Sequence, residues 1–129
     1  CGIIMSILAA NNFAANERDD IALKDTMINI KKELDANGCK CFRPTPKIGE
    51  DLFASTSLES KQYFLSALDN FITSARQAIE NTNSKEACLK WQKHLGHRFP
   101  CHLTKDEDEQ VKANTYSAPA VINSNAKNA

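Results

Sequence analysis

The sequence predicts an all-α fold: a lobe of four packed helices over residues 1–100, one Pro-rich loop within it, and a flexible C-terminal tail over 101–129. Three observations carry this. Apolar residues recur at spacings of three and four through four separate segments, the mark of a helix with one buried face. The segments are bounded by residues that start or stop helices: Gly38, Thr56 with Glu59, Asn83 with Glu86, Gly96 and Pro100. No stretch alternates apolar and polar residues as a half-buried strand does.

In the first helix, over residues 1–14, Ile3, Ile4, Ile7 and Leu8 share a side with Ala10 and Phe13 close by. Much of its circumference is therefore apolar. Residues 16–20 are a polar break. Asp19 or Asp20 is the expected cap of the second helix, where a carboxylate also suits the positive end of the helix dipole. Leu23, Met27, Ile30 and Leu34 then step by four, three and four, while Lys24, Lys31, Lys32 and Glu33 fall on the water side. Gly38 ends that helix.

Residues 39–56 hold Pro44, Pro46 and Gly49 and show no periodicity. A loop this long inside a compact domain is often functional, and Leu52 and Phe53 are its expected anchors. Thr56 with Glu59 spells a capping box for the longest helix, about residues 57–81. Its stripe is Phe64, Leu68, Phe71, Ala75 and Ala78, widened by Ile72 and Ile79.

The fourth helix opens on Asn83, with Glu86 three residues on, and sets Ala87, Cys88, Trp91 and Leu95 on one face. Gly96 closes its last turn, and Pro100 prevents rewinding. Trp91, the only tryptophan, is expected as a core anchor because a buried indole removes so much area from water; nucleobase stacking is the alternative. From Cys101 the pattern stops, and the remainder offers too little apolar area to offset the entropy of ordering.

With 129 residues, 42% hydrophobic and 25% charged, the chain has the size and composition of one globular domain or part of one. Sixteen basic residues offset sixteen acidic ones. That balance exerts no general pull on nucleic acid or an anionic membrane, and neither is an expected partner. The apolar run Ile3 to Ala10, broken by Ser6, is too short to span a bilayer. No basic segment precedes it, so it does not read as a signal peptide. Five cysteines, an odd number unevenly placed, read as reduced cytoplasmic thiols rather than a disulfide framework.

Four stretches resemble one family, in order. They are Gly2-Ile3-Ile4 with Leu8-Ala9-Ala10; Glu17-Arg18-Asp19-Asp20-Ile21-Ala22-Leu23; Arg43-Pro44-Thr45-Pro46 through Glu50-Asp51-Leu52-Phe53; and Ala87-x-x-x-Trp91 followed by Leu95-Gly96-x-x-Phe99-Pro100. Together they look like the C-terminal helical portion of the bacterial CD-NTases, cyclic-oligonucleotide synthases similar to cyclic GMP-AMP synthase and the oligoadenylate synthases. The resemblance implies a cytoplasmic nucleotidyltransferase that makes a cyclic second messenger from ATP or GTP, with magnesium, in bacterial antiphage defence. A chain that opens inside an apolar run without an initiator Met accords with a piece of a longer enzyme.

Nucleotidyl transfer needs two or three carboxylates holding divalent metal ions against the triphosphate. The family carries them on strands behind a Gly-Ser turn. No Gly-Ser dipeptide and no Asp-x-Asp strand occurs in this sequence. Asp106-x-Asp108 has the spacing but falls in the expected tail as a solvated acidic patch. No catalytic residue and no metal ligand is therefore expected here, and the magnesium belongs to a core outside these residues.

What the resemblance implies for this chain is a share of the nucleotide-holding wall. Cys1, just before Gly2-Ile3, looks like a position often held by serine near a bound triphosphate, although a thiol is a weaker donor. Asp51 looks like a base-contacting position, and Arg43 in the same loop suits a phosphate. For all three, a plain surface or turn role is the competing reading. The bacterial synthases often sit beside a ubiquitin-type activating and conjugating enzyme (E1/E2-like), which joins the synthase's C-terminal carboxylate to other molecules. Ala129, small and at the end of the tail, fits that use; a frayed terminus without a role is the alternative.

Other chemistries find less support. Cys39-x-Cys41, Cys88, His94, His97, Cys101 and His102 are soft ligands for zinc, but C-x-C is tighter than the usual gap. Thiols packed in a core are the default. No nucleophile sits on a recognisable elbow, and the four glycines are isolated, so no phosphate-cradling loop exists. The rival to the synthase is a free-standing helical interaction module whose tail is a peptide ligand.

Overall fold

A computed structural model describes residues 2–44, 49–104 and 106. The fold is all-α. Helices α1 (Gly2–Asn12), α2 (Asp19–Asn37), α3 (Leu58–Glu80) and α4 (Ser84–Leu95) are followed by a 3-10 turn at Cys101–Leu103. Among the described residues the only strand-like feature is an isolated antiparallel bridge between Phe42 and Asp51. Among the described residues no helix is long and apolar enough to cross a membrane. The chain forms two compact units, Cys1–Ile79 and Glu80–Ala129.

The core of the first unit joins Ile4 and Leu8 of α1, Ile30 and Leu34 of α2, and Leu68 and Ile72 of α3. Leu8, Ile30 and Leu34 are fully buried, and each such side chain contributes roughly 1.5–3 kcal/mol by leaving water. The loop enters this core as well, through Phe53 as expected, and through Cys39 and Cys41. Phe53 meets Phe64 of α3 edge to face, with ring centroids 5.7 Å apart.

Thr26 is buried on the core face of α2, although its hydroxyl excludes it from any apolar pattern. Its Oγ1 accepts the backbone N–H of Ala14 at 3.0 Å, which fastens the turn between α1 and α2. The same turn is held by Asn12, whose Nδ2 donates to Glu33 Oε2 at 2.7 Å, and by Asn29, which donates to the Asn12 carbonyl at 3.3 Å.

Neither Asp19 nor Asp20 caps α2. Arg18 occupies the cap with an extended backbone, and both aspartates lie in the first turn. Asp20 accepts from its neighbour's N–H at Ile21 and grips the Arg18 guanidinium at 2.6 Å. That hydrogen bond from Arg18 holds the Asp20 carboxyl below its usual range. Lys31, expected to face water, pairs with Asp35 at 2.6 Å one turn on and with Asp69 of α3 at 3.6 Å. Gly38 does end the helix: at φ 73° its N–H returns to the Leu34 carbonyl.

The cap of α3 is Ser57, one residue later than expected. Its Oγ accepts from Ser60 N at 3.1 Å and its carbonyl accepts from Lys61 N at 3.0 Å. Thr56 is instead spent on the preceding turn, donating its N–H to Phe53. Leu68, Ile72, Ala75 and Ala78 are the buried residues of α3.

In the second unit Asn83 caps α4 as expected, its side chain accepting from Lys85 N at 3.1 Å and Glu86 N at 3.3 Å. Glu86 reaches back to Asn81 Nδ2 at 3.1 Å, while Asn81 Oδ1 takes the Asn83 N–H at 2.8 Å, so Asn81 mediates the return arm of the capping box. Trp91 is buried, with 8% of its surface exposed. Leu95 is not: it is 47% exposed, because the chain reverses at Gly96 (φ 88°) and leaves the end of the stripe uncovered.

Cys88 and Cys101 form a disulfide with Cα atoms 5.5 Å apart, which corrects the expectation of five reduced thiols. Only the reversal at Gly96 brings them together. Closing a loop of this length restricts the unfolded chain by an amount worth about 3 kcal/mol. The ordered chain thus continues beyond Pro100: Cys101 is buried, and Asp106 accepts from the Asn83 side chain at 3.0 Å.

Candidate functional site

The loop after α2 is where the chain concentrates polar chemistry on a rigid frame. Two successive residues, Gly38 at φ 73° and Cys39 at φ 61°, turn the backbone left-handed at the end of the helix. Cys39 lacks the freedom of glycine, so its conformation is held by what surrounds it. Its N–H returns to the Leu34 carbonyl at 2.7 Å, and its side chain is buried in the core. Asn37 then clasps Lys40 through both its amide atoms, each at 3.0 Å.

From there the chain runs out through Cys41, Phe42 and Arg43 and returns through Glu50, Asp51 and Leu52. Leu52 N donates to Cys41 O at 2.7 Å, and Arg43 N donates to Glu50 O at 3.1 Å. Asp51 closes the base of this hairpin: its Oδ1 accepts from the backbone of Cys41 and of Phe53, each at 3.0 Å. The two arms are held in register by these bonds, and the inner side chains Cys41 and Phe53 anchor them in the core.

The pairing brings Arg43 and Asp51 into one hairpin. Arg43 Nε lies 3.2 Å from Glu50 Oε2, a charge contact whose angle does not make a hydrogen bond. Both partners are more than a third exposed, so solvent screens the attraction. A guanidinium carries five N–H donors, and a carboxylate has a second oxygen with its own lone pairs. Phe42, bridged through its backbone to Asp51 and adjacent to Arg43 in the chain, is 48% exposed. An exposed aromatic can stack on a planar ligand, a guanidinium can pair with an anion, and a carboxylate oxygen can accept from an amino group. Phe42 was missing from the sequence reading because a single aromatic in an aperiodic loop carries no signal of which way it faces.

The two thiols at the base of the hairpin are free and buried. Burial raises the pKa of Cys39 and of Cys41, and the Asp51 carboxylate adds to the rise at both. Lys61 pulls Cys39 the other way, by less than burial raises it. Thiols held protonated are poor nucleophiles and poor metal ligands. Cys88 and Cys101 are spent on each other. Among the described residues no three His, Cys, Asp or Glu side chains come together as a metal site.

Of the carboxylates singled out from the sequence, Asp20 is gripped by Arg18, Asp51 accepts from the backbone through one oxygen, and Asp106 accepts from Asn83. Cys1, Asp108 and Ala129 lie outside the described residues. No family model matches the chain.

Proposed function

We propose that this chain is the C-terminal helical part of a bacterial CD-NTase, a nucleotidyltransferase that makes a cyclic oligonucleotide second messenger from ATP or GTP in antiphage defence. The observation that carries the reading is the ordered series of four motif stretches, from Gly2-Ile3-Ile4 to the Phe99-Pro100 close. The all-α architecture accords with it. In this reading the hairpin supplies part of the nucleotide wall: Arg43 faces phosphate, Asp51 accepts from a base amino group, and Phe42 offers a stacking surface. Cys1 lies near the triphosphate. Magnesium and its carboxylates belong to a separate core, and no step of the transfer is assigned to residues of this chain. The tail ending at Ala129 is the substrate of an E1/E2-like conjugating enzyme, and the protein works in the cytoplasm.

The test is product formation. The protein containing these residues, incubated with ATP, GTP and magnesium, is expected to yield phosphatase-resistant cyclic products by mass spectrometry. Arg43→Ala is expected to lower the yield while leaving thermal unfolding unchanged. Absence of any ATP-dependent product sinks the synthase and favours the helical interaction module.

A further inference from the structure

Among the described residues, links that tie α4 to the segment after it run in antiparallel order. Gln92 Nε2 donates to the Phe99 carbonyl at 2.9 Å, Cys88 is bonded to Cys101, and Asn83 Nδ2 donates to Asp106 Oδ1 at 3.0 Å. The partners descend α4 from residue 92 to 88 to 83 while they climb the segment from 99 to 101 to 106. After the reversal at Gly96, the chain is therefore a strap laid back along its own helix, from the C-terminal end to the capped N-terminal end.

The middle link is covalent. Of the strap's described residues only Cys101 is buried; His97, Arg98, His102 and Leu103 are exposed. Its regular structure is a single 3-10 turn, closed by Leu103 N to Pro100 O at 3.2 Å and Thr104 N to Cys101 O at 3.1 Å. A turn that short does not hold its shape without tertiary support. The helix beneath opens on its own cap: the Asn83 side chain accepts from Lys85 N and Glu86 N, bonds that do not pass through the disulfide.

We infer that Cys88–Cys101 is a redox latch whose opening frees the strap while α4 stays folded. The reductant is a dithiol. One of its thiolates attacks a sulfur of the pair, breaking the Cys88–Cys101 bond and forming a mixed disulfide. Its second thiol displaces that sulfur and closes the reductant's own disulfide. Two electrons and two protons pass to the protein, leaving thiols at Cys88 and Cys101. Cys88 stays on the helix, and Cys101 leaves with the strap. The inference stands without the synthase reading, since it uses only α4 and the strap.

Amide hydrogen exchange on the full chain, with and without dithiothreitol, tests it. Reduction is verified by a mass gain of two hydrogens and by labelling of both new thiols. Exchange at residues 101–104 is expected to speed up about tenfold or more, with residues 84–95 and 26–34 unchanged, and reoxidation is expected to restore protection. The double variant Cys88→Ser/Cys101→Ser is expected to show the fast pattern with or without the dithiol. Unchanged exchange after verified reduction overturns the latch. So does loss of protection across α4 in step with the strap, or a disulfide that yields only when α2 opens too; either makes the bond a structural staple.

Discussion

The carboxylate of Asp51 accepts the backbone N–H of Cys41, ten residues earlier, at 3.0 Å, and with Leu52 N to Cys41 O it closes the base of the loop between α2 and α3. The same oxygen takes the Phe53 N–H. Asp51→Ala leaves two backbone donors without their charged acceptor and is expected to cost about 2–3 kcal/mol in urea unfolding. Asp51→Asn keeps a side-chain carbonyl in place and is expected to lose less than half of that. If, as proposed, Asp51 also contacts a base, the Asn variant is expected to lose nucleotide affinity with little change in stability. Equal destabilisation by both variants counts against the hydrogen-bond account.

Thr26 makes a similar fastening through a hydroxyl. Thr26→Val preserves the shape but leaves the Ala14 N–H without its acceptor, at an expected cost of about 1–2 kcal/mol. Thr26→Ser keeps the oxygen and is expected to retain most of the stability. A valine variant as stable as the parent chain shows that the bond contributes nothing net.

Burial and the Asp51 carboxylate favour the protonated forms of Cys39 and Cys41, so their folded values lie above the ordinary 9.0. A raised value means the contribution to stability is fully present below 9.0 and is lost as pH rises through the folded values. The unfolding free energy is therefore expected to fall as pH rises above 9.0, and to fall less in a Cys39→Ala/Cys41→Ala variant. Iodoacetamide is expected to label both thiols slowly until urea opens the core. Rapid labelling of the folded chain contradicts the buried, protonated assignment.

The Asn83 side chain accepts from the first N–H groups of α4 and donates to the carboxylate of Asp106. Asn83→Ala is expected to cost about 1–2 kcal/mol by loss of the cap. It is also expected to raise exchange at residues 84–86 first. Asn83→Asp keeps the cap oxygen but sets a second carboxylate against Asp106, so its deficit is expected to shrink in high salt. A salt-independent deficit removes the Asp106 contact from the account.

The helices were legible because their cues are local. The Leu23–Met27–Ile30–Leu34 register and Gly38 mark α2 to within a residue, and Asn83 marks the start of α4. The caps differ from the local pattern: at α2 the cap falls one residue earlier, on Arg18, and at α3 Ser57 takes the cap although Thr56 is the residue with Glu59 three positions on, because the course of the incoming chain decides. Arg43 and Asp51 were legible as polar residues of one loop. Their shared hairpin and the outward Phe42 were not, because both follow from a pairing across ten residues.

Periodicity and chain-breaking residues, read along the sequence, are enough to determine an all-α protein and nearly every helix boundary, because each rests on interactions within a few residues. Tertiary structure alone decided which polar groups go inside and which sulfurs meet. Thr26 is buried because Ala14 supplies a donor there, and Leu95 is exposed because the chain turns away at Gly96. Cys88 meets Cys101 because that same turn lays one segment back upon the other. Such pairings depend on the path of the whole backbone, which no local spacing encodes.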